Sequence, residues 1–281
     1  MDFVGKGKLW LVISTVFIVF ACYSMITKGF NFGIDFTGGT SLVIRFANPA
    51  VALDQVRTKI HNDKTEITLI DGKDFSIKTT VLDETQKKTF VADLEKNFGA
   101  LTVLEADTVG PSIGKQLSEQ ALLIIALAVF GMLIYVTFRF EFWYGLAAVV
   151  ALLHDCIITL GFASFLQLNI NTAMIAAILT ILGYSINDTI IVFDRVREEV
   201  KRDEGKGFDV AKVCNDAINS TLLRCINTVV TVLISCLALF FFGGATIKEF
   251  SQILLIGFTF GAYSSICVAS PLYVWFKKSQ E

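Results

Sequence analysis

The residues with chemistry to offer are few, and they lie where charge is costly. His154 and Asp155 interrupt one long apolar run, Asp188 interrupts the next, Asp194 closes that run, and Arg224 stands where a further run begins. An ionised side chain at the centre of a spanning helix costs about 2.5–3.5 kcal/mol on insertion scales, so such groups turn toward other helices and toward partners. Asp155 and Asp188 are the deep ones, whereas Asp194 and Arg224 fit the headgroup level. A buried carboxylate of this kind either fixes helix packing or gains and loses a proton, and with it a unit of charge. Thr180, Tyr184, Asn187 and Asp188 form one polar stripe at helical spacing, and Thr221, Arg224, Thr228, Thr231 and Ser235 form another. Two such stripes on separate helices point to a hydrated interior path. His154 is read as a hydrogen-bonded packing residue.

The elements that must position these residues are membrane spans. Of the 281 residues, 54% are apolar, mean hydropathy is +0.63, and the charged residues fall in blocks between long uncharged stretches. A crossing helix needs about 20 residues. Six spans are predicted, at Leu9–Ile26, Ala121–Phe138, Phe142–Leu166, Thr172–Phe193, Leu222–Phe242 and Phe250–Phe276. No small-residue cleavage site follows the first, which is therefore a retained anchor rather than a signal peptide. Lys6, Lys8, Arg139, the Arg195–Lys212 loop, Lys277 and Lys278 fall on one side if the helices alternate, and basic flanks stay in the cytoplasm. The expectation is a multi-pass protein of the cytoplasmic membrane with both termini inside.

Residues 31–120 change pattern, from continuous apolar runs to alternation and amphipathic periodicity. Leu42, Ile44 and Phe46 alternate as a strand, Asn48-Pro49 opens a helix bearing Leu53, Val56 and Ile60, and Ile67 and Leu69 mark a second strand. Asp71-Gly72 turns into a third strand with Phe75 and Ile77. Asp83 and Gln86 cap a helix ended by Gly99, and Leu101–Leu104 makes a fourth strand. The predicted fold class is an α-helical polytopic membrane protein with six transmembrane helices and an extracytoplasmic α+β ferredoxin-like domain (βαββαβ) between helices 1 and 2. In domain terms, 1–30 is an anchor helix, 31–120 the outer domain, and 121–281 a five-helix bundle with a cytoplasmic amphipathic loop at 195–221. Within that loop Val210, Val213, Cys214, Ala217 and Ile218 share one face, as in an interfacial helix or a connector packed on the bundle. On the last span, Gly257, Gly261 and Ser265 leave room for another helix.

Composition also excludes. A net charge of −2 gives no bulk basic surface for nucleic acid. All six cysteines lie in or beside the spans, which rules out a disulfide framework and a cysteine zinc site in the outer segment. No phosphate-binding loop, HExxH pair or nucleophile elbow occurs, so the expectation is a protein that is not an enzyme and carries no cofactor or metal.

The motifs, taken in order, carry a family resemblance. Gly33-Ile-Asp-Phe-Thr-Gly-Gly-Thr40 follows the first span, and Val109-Gly-Pro-Ser-Ile-Gly114 precedes the second. Leu153-His-Asp155 lies in the third span, Gly183 to Arg195 leads out of the fourth, and Arg224 and Gly243-Gly244 follow. Together they resemble the SecF side of the SecD/SecF protein-export family, of the RND-like superfamily. That resemblance implies partnership with SecD and the SecYEG translocon, YajC as a further associate, an exported polypeptide as cargo, and proton-motive force as the driver. It implies that Asp188 is the proton-pathway carboxylate, Arg224 its basic partner, and Asp155 a motif carboxylate in the same pathway. Gly33, Asp35, Phe36, Gly38, Gly39, Asp194 and Arg195 are then family-motif positions. Two other functions remain open: an RND-type half-transporter of small molecules, and a structural scaffold of the translocon.

Overall fold

The structure, a computed structural model, describes residues 1–60, 65–70, 72–203 and 209–278. In chain order the first elements are α1 (Gly7–Lys28), α2 (Ile34–Thr37), β1 (Gly39–Phe46), α3 (Leu53–Ile60), β2 (Glu66–Ile70) and β3 (Asp74–Thr79). They are followed by α4 (Glu84–Phe98), β4 (Leu101–Val109), α5 (Pro111–Arg139), α6 (Phe142–Leu166) and α7 (Thr172–Asp203). The chain closes with α8 (Val210–Phe242), α9 (Ala245–Ser264), a π-helical turn (Ser265–Ala269) and α10 (Ser270–Lys278). Two compact units result, one of Phe32–Leu122 and one of Met1–Asn31 with Leu123–Glu281.

The smaller unit is a four-stranded antiparallel sheet in the order β2-β3-β1-β4. Alternation along β1 and β3 places Leu42, Ile44, Phe46, Phe75 and Ile77 in one core with Val56 of α3 and Leu94 of α4. Arg45 and Asp74 face each other across β1 and β3 and form a bidentate pair, Nε–Oδ1 2.6 Å and Nη2–Oδ2 2.8 Å. The α4 cap is the reciprocal box expected from its sequence: Asp83 Oδ1 accepts from the Gln86 amide, and Gln86 Oε1 accepts from the Asp83 amide. The helix expected from Asn48-Pro49 instead begins at Leu53. Asn48 Oδ1 accepts from the Ala50 amide, and this local turn takes the place of a first helical turn. The expected turn residue Asp71 lies outside the described residues, whereas Gly72 holds a φ of 69°.

Among the described residues six helices are long and apolar enough to cross a membrane. The centre is α6, α7 and the α9–α10 stretch, while α1, α5 and α8 are mostly exposed. Helices approach closely where side chains are small: a Cβ on Gly161 of α6 would strike the backbone of Ala21 in α1, and one on Gly257 of α9 would strike the Ile181 side chain of α7. The small-residue face of the last span is thus occupied by α7 of the same chain. The expected amphipathic loop is also helical at both ends: residues 195–203 continue α7, and 210–221 form the first part of one continuous α8, with residues 204–208 outside the described set. Val210, Val213, Cys214, Ala217 and Ile218 are all buried, which makes this segment a packed extension rather than an interfacial helix. The sixth span is not one regular helix. Pro271 lacks an amide proton and its ring crowds the carbonyl four residues back, and a π turn precedes it.

Candidate functional site

Asp155 is fully buried at the meeting of α6, α7 and α9. Its Oδ2 accepts from Ser185 Oγ at 2.6 Å and from Ser264 Oγ at 2.7 Å, and its Oδ1 lies 3.0 Å from His154 Nδ1. The lattice continues through the π turn, where Thr189 Oγ1 donates to Ser265 Oγ at 2.9 Å and Ser265 Oγ donates to the Ser185 carbonyl at 3.1 Å. A π turn tilts successive side chains away from regular helical spacing, and here Ser264 and Ser265 both face the centre. One carboxylate therefore ties three helices together, with a buried His154 Nε2 that has no hydrogen-bond partner among the described residues.

Asp188 lies one turn beyond Ser185 on α7 and is also buried, but neither carboxylate oxygen has a hydrogen-bond partner among the described residues. Tyr184 Oη, one turn earlier, is likewise buried and unpartnered, while its ring packs 4.7 Å from Phe258. Arg224 of α8 acts electrostatically on Asp188 but makes no hydrogen bond to it. Between them Thr228 uses its hydroxyl on the carbonyls of Arg224 and Cys225, at 3.0 and 2.9 Å. The two polar stripes do not close into an enclosed channel. Thr180, Asn187, Arg224, Thr231 and Ser235 are exposed on the surface of the chain, with only Asp188 fully inside.

The motif residues fall into two further groups. Asp194 accepts from Arg139 Nη2 at 2.9 Å, and Arg195 pairs with Glu198 at 3.0 Å and Glu199 at 2.7 Å. These are ion pairs at one end of the bundle, away from the deep carboxylates. The glycine motif serves the sheet unit. Gly33 caps α2, which carries Asp35 and Phe36, and Gly38 and Gly39 hold φ of 72° and 135°. A Cβ on Gly39 would meet the Thr79 carbonyl at 2.5 Å, and one on Gly114 would meet the Gly38 amide nitrogen at 3.0 Å. With Gly39 paired to Val109 in the sheet, the motif at 33–40 and the motif at 109–114 form one backbone junction that leaves little room for a side chain at Gly38, Gly39 and Gly114.

Sequence reasoning missed Ser185 and Ser264 as partners of Asp155, and Thr189 and Ser265 as the extension of that lattice. The signal was present as hydroxyls at helical spacing beside Asp188 and as a serine pair six residues before Pro271, but which helices meet is a tertiary fact. His154, read from the sequence as a hydrogen-bonded packing residue, is buried with its ring nitrogen against the deepest carboxylate.

Six spanning helices, a polar centre with two buried carboxylates and a glycine-locked sheet unit define a multi-pass membrane protein of the transport type. Two family models narrow the class: SecD/SecF protein export membrane protein, C-terminal, matches residues 88–279, and the SecD/SecF GG motif matches residues 23–50. A protein translocase subunit SecF from Sebaldella termitidis is 40% identical over 94% of this chain and 88% of its own length. Another from Calditerrivibrio nitroreducens is 38% identical over 97% and 92%. The crystal structure of SecDF, a translocon-associated membrane protein from Thermus thermophilus, superposes with a TM-score of 0.91 at 35% identity, over 99% of this chain and 39% of that one. The chain belongs to the SecD/SecF family of protein-export membrane proteins, on its SecF side.

Proposed function

We propose that this chain works with a SecD partner, in the cytoplasmic membrane, to pull exported polypeptide through SecYEG by means of the proton-motive force, with YajC as an associate and without enzymatic chemistry of its own. The observation that carries this reading is Asp188: a buried carboxylate with no hydrogen-bond partner among the described residues, under the field of a cation on the neighbouring helix. A group so placed gains little from a fixed geometry and responds strongly to any movement of Arg224. Protonation removes its charge and withdrawal of the proton restores it, so two arrangements of α7 and α8 alternate with its state. One charge crossing a potential of about 100 mV releases about 2.3 kcal/mol, enough to bias such a pair of states.

The exposed polar positions on α7 and α8 support a second polypeptide on that face. Asn187 and Arg224 would be costly against hydrocarbon and are natural contacts for a membrane partner, for which SecD is the reading. Asp155, held by three helices, is the fixed end of the pathway. The sheet unit, with its element order βαββαβ and strand order β2-β3-β1-β4, supports an assignment to the ferredoxin-like class, and we place it outside the cell with both termini inside.

The test is Asp188→Asn, reconstituted with SecD and SecYEG in vesicles carrying a defined proton gradient. The variant keeps size and loses titration, so it remains inserted and SecD-bound while gradient-dependent stimulation of export disappears. Stimulation at the wild-type level would return Asp188 to a packing role.

A further inference from the structure

The bundle end that bears the Asp194 and Arg195 ion pairs also holds a cavity of about 590 Å³ between α5, α6, α7, α8 and α10. Its charge is one-sided. Arg139, Arg197, Lys201 and Lys277 line it against one acid among the described residues, Glu141. Two of these cations are already engaged, Arg139 with Asp194 at 2.9 Å and Lys277 with Glu141 at 3.3 Å. Arg197 reaches only a backbone carbonyl, that of Arg139 at 3.3 Å, and Lys201 has no acidic partner among the described residues.

The floor of the cavity is aromatic. Tyr144 and Tyr273 stack at 3.9 Å and Phe140 stands beside Tyr144 at 5.7 Å, with the buried Phe193 edge-on behind Tyr144 at 5.0 Å. At its lip Phe138 of α5 is 90% exposed, where an apolar chain can lie against it. Charged ends above, aromatic rings at the level of the helix termini and an apolar lip toward the spans match the layering of a bilayer interface. Cavities of 300–1,000 Å³ suit small ligands, and basic pockets between spanning helices suit lipid head groups.

We propose that this cavity is a binding site for an anionic phospholipid, its phosphate held by Arg197 and Lys201 and its acyl chains laid past Phe138. Phosphate is the shared chemistry of a lipid and a free anion, but only a lipid makes use of the apolar lip. The site is separate from Asp188 and Asp155 and does not depend on the proton reading. Its occupation ties the ends of α5, α7 and α10 to the state of the surrounding leaflet.

The test uses the full-length chain in nanodiscs of mixed phosphatidylglycerol and phosphatidylcholine, released into the mass spectrometer under native conditions. Wild type retains phosphatidylglycerol in preference to phosphatidylcholine. Each basic side chain near an anionic surface is worth about fivefold in affinity, so the double variant Arg197→Ala/Lys201→Ala loses roughly 25-fold of that preference. Arg197→Lys/Lys201→Arg, which keeps both charges, retains most of it. Val200→Trp fills the cavity without touching charge and also loses the bound lipid. Absence of preference in wild type, or undiminished retention in Val200→Trp, overturns the proposal, the latter because surface charge alone would then suffice. Displacement of phosphatidylglycerol by excess inorganic phosphate would make it a free-anion site and overturn it equally.

Discussion

Asp155 and Asp188 are the same residue type in the same bundle, and their surroundings are opposite. Asp155 is bonded by two serine hydroxyls and faces a histidine, across three helices; Asp188 is as deeply buried, and neither of its oxygens has a hydrogen-bond partner among the described residues. A carboxylate whose lone pairs are occupied resists movement, because any shift leaves donors and acceptors unmatched away from water. One without hydrogen-bond partners leaves no donor unmatched when its helix turns, and what changes is its distance from Arg224. The first therefore acts as a hinge pin for α6, α7 and α9, and the second as the element free to respond. Sequence makes these carboxylates look alike; the difference lies in what the neighbouring helices present.

That contrast is broken most directly by deletion. Asp155→Ala removes interhelical hydrogen bonds, each worth about 0.6 kcal/mol on average in membranes, and strands their donors, for a total near 2–3 kcal/mol. Asp188→Ala loses no such bond among the described residues and is expected to destabilise less than Asp155→Ala. Thermal unfolding of both variants in the same micelles checks this, and equal destabilisation would end the distinction. Next in size is Gly257→Leu, which forces apart α7 and α9 on the Asp155 side. Overpacking of this kind costs about 1–3 kcal/mol and is expected to shift thermal unfolding to lower temperature even in the absence of any partner chain.

A finer probe uses two adjacent residues on α7. Ser185→Ala deletes one donor to Asp155 and costs about 1 kcal/mol, while Tyr184→Phe deletes a hydroxyl that bonds to nothing described and is expected to be near neutral. The same unfolding assay separates them, and a larger loss for Tyr184→Phe would place the fixed node on the wrong side of the helix.

How much of this was legible differs between the two units. Spans are set by bulk hydropathy over about 20 residues, so their existence and the depth of Asp155 and Asp188 follow from composition along the chain. Caps are local too, which is why Asp83, Gln86 and Gly99 mark the ends of α4 without any tertiary knowledge. The start of α3 was misread because Asn48 satisfies its neighbours in a turn as readily as in a helix cap. The Asp155 lattice was hidden for a different reason. Serines are common in spanning helices, and only the π turn before Pro271 and the glycine contacts at 257 and 261 determine which of them face a carboxylate.

A third carboxylate tests whether partner number matters only where water is excluded. Glu84 stands in the first turn of α4, exposed, with Lys87 at 2.5 Å, and that lysine holds its carboxyl below the ordinary glutamate range. A depressed folded-state value means that the pair stabilises the helix at pH above the ordinary value, 4.5, and that this contribution is lost as pH falls through the folded value. The position near the helix N-terminus acts in the same direction, since the macrodipole favours the negative form. Solvent screens both effects, so the loss is small compared with any change at Asp155. Hydrogen exchange on the α4 amides of the full chain, followed from neutral pH to below 4.5, is expected to reveal slightly faster opening at the acid end after correction for intrinsic rates. Glu84→Gln removes that pH dependence while leaving the Asp83–Gln86 box in place. If the dependence survives in Glu84→Gln, the acid sensitivity of α4 belongs to Asp83, and the water-exposed carboxylate at position 84 contributes no more than a neutral side chain.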